Sequence, residues 1–315
     1  MSELRVTRVE WEAESVVSLR LSSPDRGELP RWEPGAHIDV LLPSGIIRQY
    51  SLCGDPRDPS SYTIAVLRES HGTGSKEIHD TSLVGRLLEI RGPRNHFRLE
   101  AAPAYRFLAG GIGITPILAM VREAEERGVP WELYYGGRSR AHMAFADELA
   151  AQYGDRVHLV PQDTAGMLDL AGILAESPIG SHVYCCGPEG MLRAAEEACA
   201  AADPPRRLHL ERFGPGPVTE EPSVGSAEAF KVELRRSGIV LDVPPDRPLL
   251  DVIRDALPGT PYSCEEGYCG TCETRVLEGV PEHHDQVLTP EEREKGDTMM
   301  LCVGRSRTPV LVLDI

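Results

Sequence analysis

Cys264-Glu265-Glu266-Gly267-Tyr268-Cys269-Gly270-Thr271-Cys272 sets three thiols with four and then two residues between them, and Cys302 follows after 29 more. This C-x4-C-x2-C…C order is the plant-type spacing for a [2Fe–2S] cluster. Four thiolates have to converge on two irons, which calls for a tight loop wrapped around inorganic sulfide. Gly267 and Gly270 let the backbone fold closely and turn N–H groups toward the sulfurs, which tunes the potential of such a centre. Two plainer readings compete: a zinc site with four cysteine ligands, or buried inert thiols. Zinc sites of that kind favour two C-x2-C pairs, and this set holds one, Cys269-Gly270-Thr271-Cys272. The expected metal ligands are Cys264, Cys269, Cys272 and Cys302, the last in an apolar strand over 299–303.

Around the cysteines the pattern is that of a short α+β unit. A hairpin is expected over 230–235 and 239–243, a helix over 249–257, and strands near 274–277, 299–303 and 310–313. Over roughly 227–315 the chain resembles a plant-type ferredoxin domain, an α+β, β-grasp-like fold. Upstream, 214–226 has no periodicity and is dense in Gly, Pro and Ser, so it reads as an inter-domain linker stiffened by its prolines.

Before the linker, strands and helices alternate. Strands are expected over 106–109, 131–135, 157–160, 182–186 and 208–212, and helices over 116–127, 142–153, 170–175 and 188–201. Such alternation means a doubly wound parallel sheet covered on both faces. Thr115 is the expected N-cap of the first helix, with Pro116 at its first position and Gly128 just past its end. Gly110-Gly111-Ile112-Gly113-Ile114-Thr115-Pro116 joins the first strand to that helix, and Gly111 and Gly113 leave room for backbone to approach a phosphate. Cys186-Gly187-Pro188 ends the fourth strand. Ligands in such sheets bind beyond the carboxyl ends of the strands, so the two glycine-rich turns belong to one nucleotide site, with the Cys186 thiol beside a nicotinamide ring. Arg138 and Arg140, after the second strand, either meet the adenosine side or are solvated surface arginines.

The first hundred residues carry short alternating runs, over 4–9, 16–21, 37–42, 46–52, 62–67 and 87–90, parted by turn residues. They predict a small antiparallel β-barrel with one short helix near 75–81. Arg48 and Tyr50, two apart, share a strand face, so a guanidinium fork for a phosphate stands beside a ring able to lie on a flat cofactor. Ser51 adds a hydroxyl and a backbone N–H near a flavin's redox-active nitrogen. Gly72, Gly74 and Ser75 precede the helix as a second phosphate cradle. Domain bounds follow: a flavin domain 1–101, a nucleotide domain 102–213, the linker 214–226 and the ferredoxin domain 227–315.

Composition excludes several functions. Acidic residues number 49 against 33 basic ones, a net charge of −16, which repels phosphate backbones and anionic membranes. No basic-then-apolar leader opens the chain, and 107–121, its longest mainly apolar stretch, is short and broken by Gly110, Gly111, Gly113 and Pro116. A cytoplasmic protein is expected, where thiols stay reduced. Cys53, Cys185 and Cys199 read as small core residues.

Taken in order, Arg48-x-Tyr50-Ser51, Gly72-x-Gly74-Ser75, Gly110 to Pro116, Cys186-Gly187-Pro188, Glu211-Arg212-Phe213 and the C-terminal cysteines resemble the phthalate dioxygenase reductase family, which includes vanillate demethylase reductases. The resemblance implies FMN rather than FAD, because the ferredoxin domain follows the reductase core. It implies that Arg48, Gly72, Gly74 and Ser75 hold the FMN phosphate, that Tyr50 and Ser51 contact the isoalloxazine, and that Thr115 lies between flavin and nicotinamide. Phe213 would cover the flavin until the nicotinamide displaces it, and Arg138 would meet the nucleotide, NADH or NADPH. The implied activity is electron transfer from NAD(P)H through FMN and the cluster to a terminal oxygenase, of the Rieske non-haem iron type, by a monomer. Rival readings are the same module serving a haem-thiolate monooxygenase, a free-standing ferric or quinone reductase, and a non-catalytic zinc-bearing interaction protein. Glu265, Glu266, Glu273, Glu278, Glu282 and Asp285 are expected either to dock on a basic partner face or to be merely solvated.

Overall fold

The computed structural model describes residues 2–70, 72–214 and 228–315. The linker expected at 214–226 therefore falls, apart from Gly214, outside the described residues. The chain divides into two units, Met1–Arg212 and Phe213–Ile315.

The first unit opens with strands β1 (Ser2–Ala13), β2 (Val16–Ser22), β3 (His37–Leu41), β4 (Ile47–Ser51) and β5 (Ser61–Leu67), helix α1 (Thr73–Asp80) and strand β6 (Leu87–Arg94). Their order across the sheet is β4-β3-β6-β1-β2-β5, all antiparallel, and a bridge between Leu52 and Ile64 brings its two edges together. All six expected strands form because alternation puts one apolar set inward: Leu4, Val6, Leu19, Leu21, Ile38, Val40, Ile64 and Ile90 pack in one core.

The same unit continues with β7 (Tyr105–Gly110), α2 (Ile114–Glu126), β8 (Trp131–Gly137), α3 (Ala146–Tyr153), β9 (Val157–Pro161), α4 (Gln162–Ala165), α5 (Leu170–Ala175), β10 (His182–Cys186), α6 (Glu189–Ala201) and β11 (Arg207–Glu211). The sheet is parallel throughout, in the order β11-β10-β7-β8-β9. From β7 the chain builds outward to β9, then returns to β7's other side, so the order reverses between β7 and β10. That is the topological switch point, where a crevice opens at the carboxyl ends. Tyr105, Tyr135 and Tyr184 are fully buried, and their hydroxyls donate to the carbonyls of Glu100 (2.8 Å), Gly111 (3.1 Å) and Arg98 (3.0 Å). Left unpaired, each would cost about 1–3 kcal/mol. Barrel and sheet share one unit because Arg122 of α2 donates to the carbonyls of Cys53 and Gly54, and Ala119 of α2 sits in the barrel core.

Two expectations fail here. Thr115 is not the N-cap of α2: a 3-10 turn over Gly111–Gly113 starts the coil early, the cap is Gly113, and the Thr115 hydroxyl donates back to the Ile112 carbonyl at 3.0 Å. Helix α3 starts at Ala146 rather than His142, because a 3-10 turn at Arg140–His142 and left-handed Phe145 (φ 61°) come first.

The second unit contains β12 (Phe230–Leu234), β13 (Ile239–Val243), α7 (Leu249–Ala256), β14 (Glu273–Glu278), β15 (Pro281–Glu282), α8 (Pro290–Lys295), β16 (Thr298–Met300), β17 (Arg305–Ser306) and β18 (Val310–Leu313). Its mixed sheet runs β13-β12-β18-β14-β16, with β12 parallel to β18 and the other pairs antiparallel. α7 lays Leu249, Leu250, Val252 and Ile253 on that core. Cys302 was expected within a strand, but β16 stops at Met300 and Cys302 lies in the turn that follows.

Candidate functional site

In the second unit the cysteine loop is a run of tight turns. Glu265, Gly267 and Gly270 have φ of 60°, 77° and 72°, in the left-handed region. At Gly267 the requirement is spatial as well, since a Cβ there would lie 2.7 Å from the Val303 side chain and 3.1 Å from Cα of Asp285. The loop thereby gathers Cys264, half-buried, with the buried Cys269, Cys272 and Cys302, and the last two sulfurs are 3.3 Å apart. Backbone N–H groups of Glu266 and Thr271 point at the sulfurs of Cys264 (3.4 Å) and Cys269 (3.5 Å). Hydrogen bonds from Cys269 and Cys302 hold the Cys264 thiol well down, and the Cys302 thiol likewise lowers Cys272. The donating thiols Cys269 and Cys302 are pushed up by those same bonds and by burial. Four crowded thiols cannot all ionise without positive charge among them, and a di-iron core supplies that charge. The donor set fits the cluster.

Asp285 was grouped with acidic docking residues. It is instead buried, its carboxylate accepting the N–H groups of Val287 (3.0 Å) and Leu288 (2.8 Å). It shapes the segment whose Gln286 N–H donates to Gly267 at 2.8 Å. Glu265, Glu266 and Glu278 are exposed, and Glu273 and Glu282 half-buried.

In the first unit, β4 aims Arg48 and Tyr50 to one side and Ser51 to the other. The N-terminus of α1 has Gly72 as its cap and no side-chain hydrogen bond to its first N–H groups. Arg48 crosses there, and a Cβ on Gly74 would sit 2.8 Å from its Cγ. An uncapped helix start beside a guanidinium suits a phosphate, so this cradle fits the flavin's phosphate end. Ser75 is buried and its hydroxyl accepts the Glu69 N–H at 3.2 Å. Burial pushes the Tyr50 phenol up.

At the switch point the two glycine turns touch. A Cβ on Gly113 would lie 2.2 Å from the Cys186 carbonyl oxygen, and one on Gly110 would lie 2.7 Å from Pro188 Cδ. Gly111, half-buried with φ 55°, Thr115, Pro116 and Gly187 complete that floor. Cys186 is fully buried, which pushes its thiol well up and leaves it inert. Arg138 is exposed, while Arg140 is held by Asp147. Phe213, 43% exposed, opens the second unit.

Glu211, which the sequence reading quoted without a role, ends β11 opposite Cys186. The Ser51 hydroxyl donates to its Oε2 at 3.5 Å. Part of the residue remains accessible, but its carboxyl is withdrawn from water, and this burial pushes it up to about 8 against the Ser51 bond. A carboxyl whose protonated form is favoured by burial therefore stands between barrel and sheet, bonded to Ser51 and on a strand position paired with Cys186.

Family models match at two places. The [2Fe–2S] iron–sulfur cluster binding domain covers 232–306, and the N-terminal domain of the dimethylamine monooxygenase subunit DmmA-like family covers 95–207. Phenoxybenzoate dioxygenase subunit beta of Ectopseudomonas oleovorans is 46% identical, over 99% of this chain and 97% of its own. Phthalate dioxygenase reductase of Burkholderia cepacia is 36% identical, over 99% and 97%. The chain belongs to the phthalate dioxygenase reductase family. A solved phthalate dioxygenase reductase, described as a modular structure for electron transfer from pyridine nucleotides to [2Fe–2S], superposes with a TM-score of 0.69 at 36% identity, covering 99% of this chain and 97% of that one. An intact type IV self-sufficient cytochrome P450 monooxygenase gives a TM-score of 0.90 at 41% identity, over all of this chain and 41% of the longer one. As a phthalate dioxygenase reductase family member the chain is a nicotinamide-dependent oxidoreductase of the oxygenase-reductase kind, with FMN and a [2Fe–2S] cluster as its cofactors.

Proposed function

We propose that this chain delivers electrons from NADH or NADPH, by way of FMN and the cluster, to a Rieske non-haem iron oxygenase. The carrying observation is likeness along the whole of both chains to a dioxygenase subunit and a dioxygenase reductase. Bound FMN accepts electrons in pairs and releases them singly, chemistry that no side chain provides.

The protein's part is holding and aiming. Arg48 and the start of α1, with Gly72, Gly74 and Ser75, grip the FMN phosphate, while Tyr50 and Ser51 border the isoalloxazine. Gly111, Gly113, Thr115, Pro116, Cys186, Gly187 and Pro188 admit the nicotinamide half of the nucleotide to a floor kept low by its glycines, Arg138 meets the adenosine half, and Phe213 shields the flavin. Glu211 keeps a proton on its carboxyl, so no buried negative charge faces the site. Cys264, Cys269, Cys272 and Cys302 hold the cluster. We read three domains, 1–101, 102–213 and 227–315, joined by the 214–226 linker, in a cytoplasmic monomer. Among the described residues no helix is long and apolar enough to cross a membrane.

A haem-thiolate monooxygenase is the second reading, favoured by the 0.90 TM-score to the P450 fusion. Anaerobic stopped-flow mixing of the NADH-reduced holoprotein with a purified Rieske oxygenase, and separately with a P450 haem domain, decides between them. Rapid bleaching of the Rieske centre with a slow haem response supports the proposal; the reverse ranking overturns it.

A further inference from the structure

At the amino ends of β10 and β11, away from the glycine turns, three metal-ligating side chains converge. His182 opens β10 and pairs with Arg207, while Tyr184 pairs with His209 on β11. Residues two apart share a sheet face, so both imidazoles and the tyrosine ring stand together. The His209 ring lies flat on Tyr184, centroids 4.3 Å apart and planes 4° apart, and its Nε2 is 3.1 Å from Nδ1 of His182. The third member, Glu100, belongs to the connector between β6 and β7. Its backbone is pinned on both sides: its N–H donates to the Tyr184 hydroxyl and its carbonyl accepts from Tyr105, each at 2.8 Å. One donor atom from each of Glu100, His182 and His209 lies within 4.8 Å of the others.

We infer that Glu100, His182 and His209 form a binding site for one divalent transition-metal cation of the zinc type. A tetrahedral zinc with nitrogens at about 2.0–2.1 Å sets adjacent donors about 3.3–3.4 Å apart, and the two imidazole nitrogens stand at 3.1 Å already. Two imidazoles and one carboxylate, with the fourth position left to water, suit zinc and not magnesium or calcium, which take oxygen ligands. The cation replaces the proton now shared between the facing nitrogens, that proton moving to an outer ring nitrogen. Arg207 works against the site, since its guanidinium pairs with Glu100 at 2.7 Å, but at 62% exposure it is free to turn into solvent. A bound zinc would fasten the 95–104 connector to β10 and β11, far along the strands from Cys186, which makes its role structural or regulatory.

The test is zinc competition against a chromophoric chelator, using oxidised holoprotein with flavin and cluster in place so that the cluster thiols are occupied. One zinc per chain is expected. His209→Gln and His182→Gln should each weaken binding beyond the about 10–100-fold that outer-shell changes cost, while Arg207→Met should tighten it several-fold. Flavin and cluster content should stay unchanged in all three. Equal zinc binding in the wild type and both histidine variants would overturn the assignment, as would a wild type with no site tighter than the chelator background. If either histidine variant loses its cofactors, Arg207→Met still decides, because tightening supports the site and an unchanged affinity refutes it.

Discussion

Replacing Glu211 with glutamine keeps the shape of the side chain and removes its titratable proton. The carboxyl sits at about 8 in the folded protein against an ordinary 4.5, because burial outweighs the Ser51 hydrogen bond. A raised carboxyl contributes stability that is complete below the ordinary value, declines as the pH climbs, and is gone above the folded value. At ~1.4 kcal/mol per pH unit, the wild type should lose roughly 4 kcal/mol between about pH 5 and about pH 9 from this group alone. Glu211→Gln has no such loss. Urea unfolding of both FMN-loaded proteins, followed by far-ultraviolet circular dichroism across that range, should show the variant gaining on the wild type by roughly that amount. Flavin reduction by NADH gives a second readout, with an inflection near pH 8 in the wild type that vanishes in the variant. A stability gap that changes by less than about 1 kcal/mol, with no change in the rate profile, would mean that the carboxyl titrates like a solvated one and that the enclosure inferred for it is wrong.

Gly113→Ala should separate the two glycine turns, since its Cβ would land 2.2 Å from a backbone oxygen; an overpacking cost of about 1–3 kcal/mol and a raised dissociation constant for NADH are expected in denaturation and binding titrations. Gly74→Ala, with a Cβ 2.8 Å from Arg48 Cγ, should displace the guanidinium and lower FMN retention on gel filtration while nucleotide affinity holds. Cys302→Ser should abolish the broad iron–sulfur absorption yet leave NADH bleaching of the flavin, an outcome read directly in an anaerobic spectrum. With a net charge of −16, the rate of partner reduction should fall as ionic strength rises if exposed carboxylates such as Glu265 and Glu266 steer docking, whereas a salt-independent rate would remove them from that role.

The six barrel strands and five sheet strands were legible because each carries its own alternating or apolar run, a signal local to a few residues. The strand order was not. Placement of β10 against β7 pairs Cys186 with Ala109, and no local pattern encodes a pairing across so many residues. Thr115 looked like a cap because a threonine before a proline is the usual helix start; the glycines before it permit a 3-10 turn that begins the helix sooner. Helix α8 shows only its capping box, Thr289 with Glu292, because its six residues bury none of their side chains and so carry no apolar periodicity. The convergence of the four cysteines was legible from spacing alone. Glu211 was visible only as a letter in a motif, because its character comes from burial beside a barrel strand whose Ser51, its hydrogen-bond partner, stands 160 positions earlier.

Where the glycine turns after β7 and β10 meet, main chain rests on main chain, and a single added carbon at Gly110 or Gly113 has nowhere to go. Substitution in this chain is therefore channelled. The end of the crevice where the two turns meet is closed to added side chains, whereas Arg138 and Gln162 to Met167, after β8 and β9, are exposed. With the nucleotide placed as proposed, a change of preference between NADH and NADPH falls to that outer rim, keeping one unchanged chemistry behind an adjustable entrance.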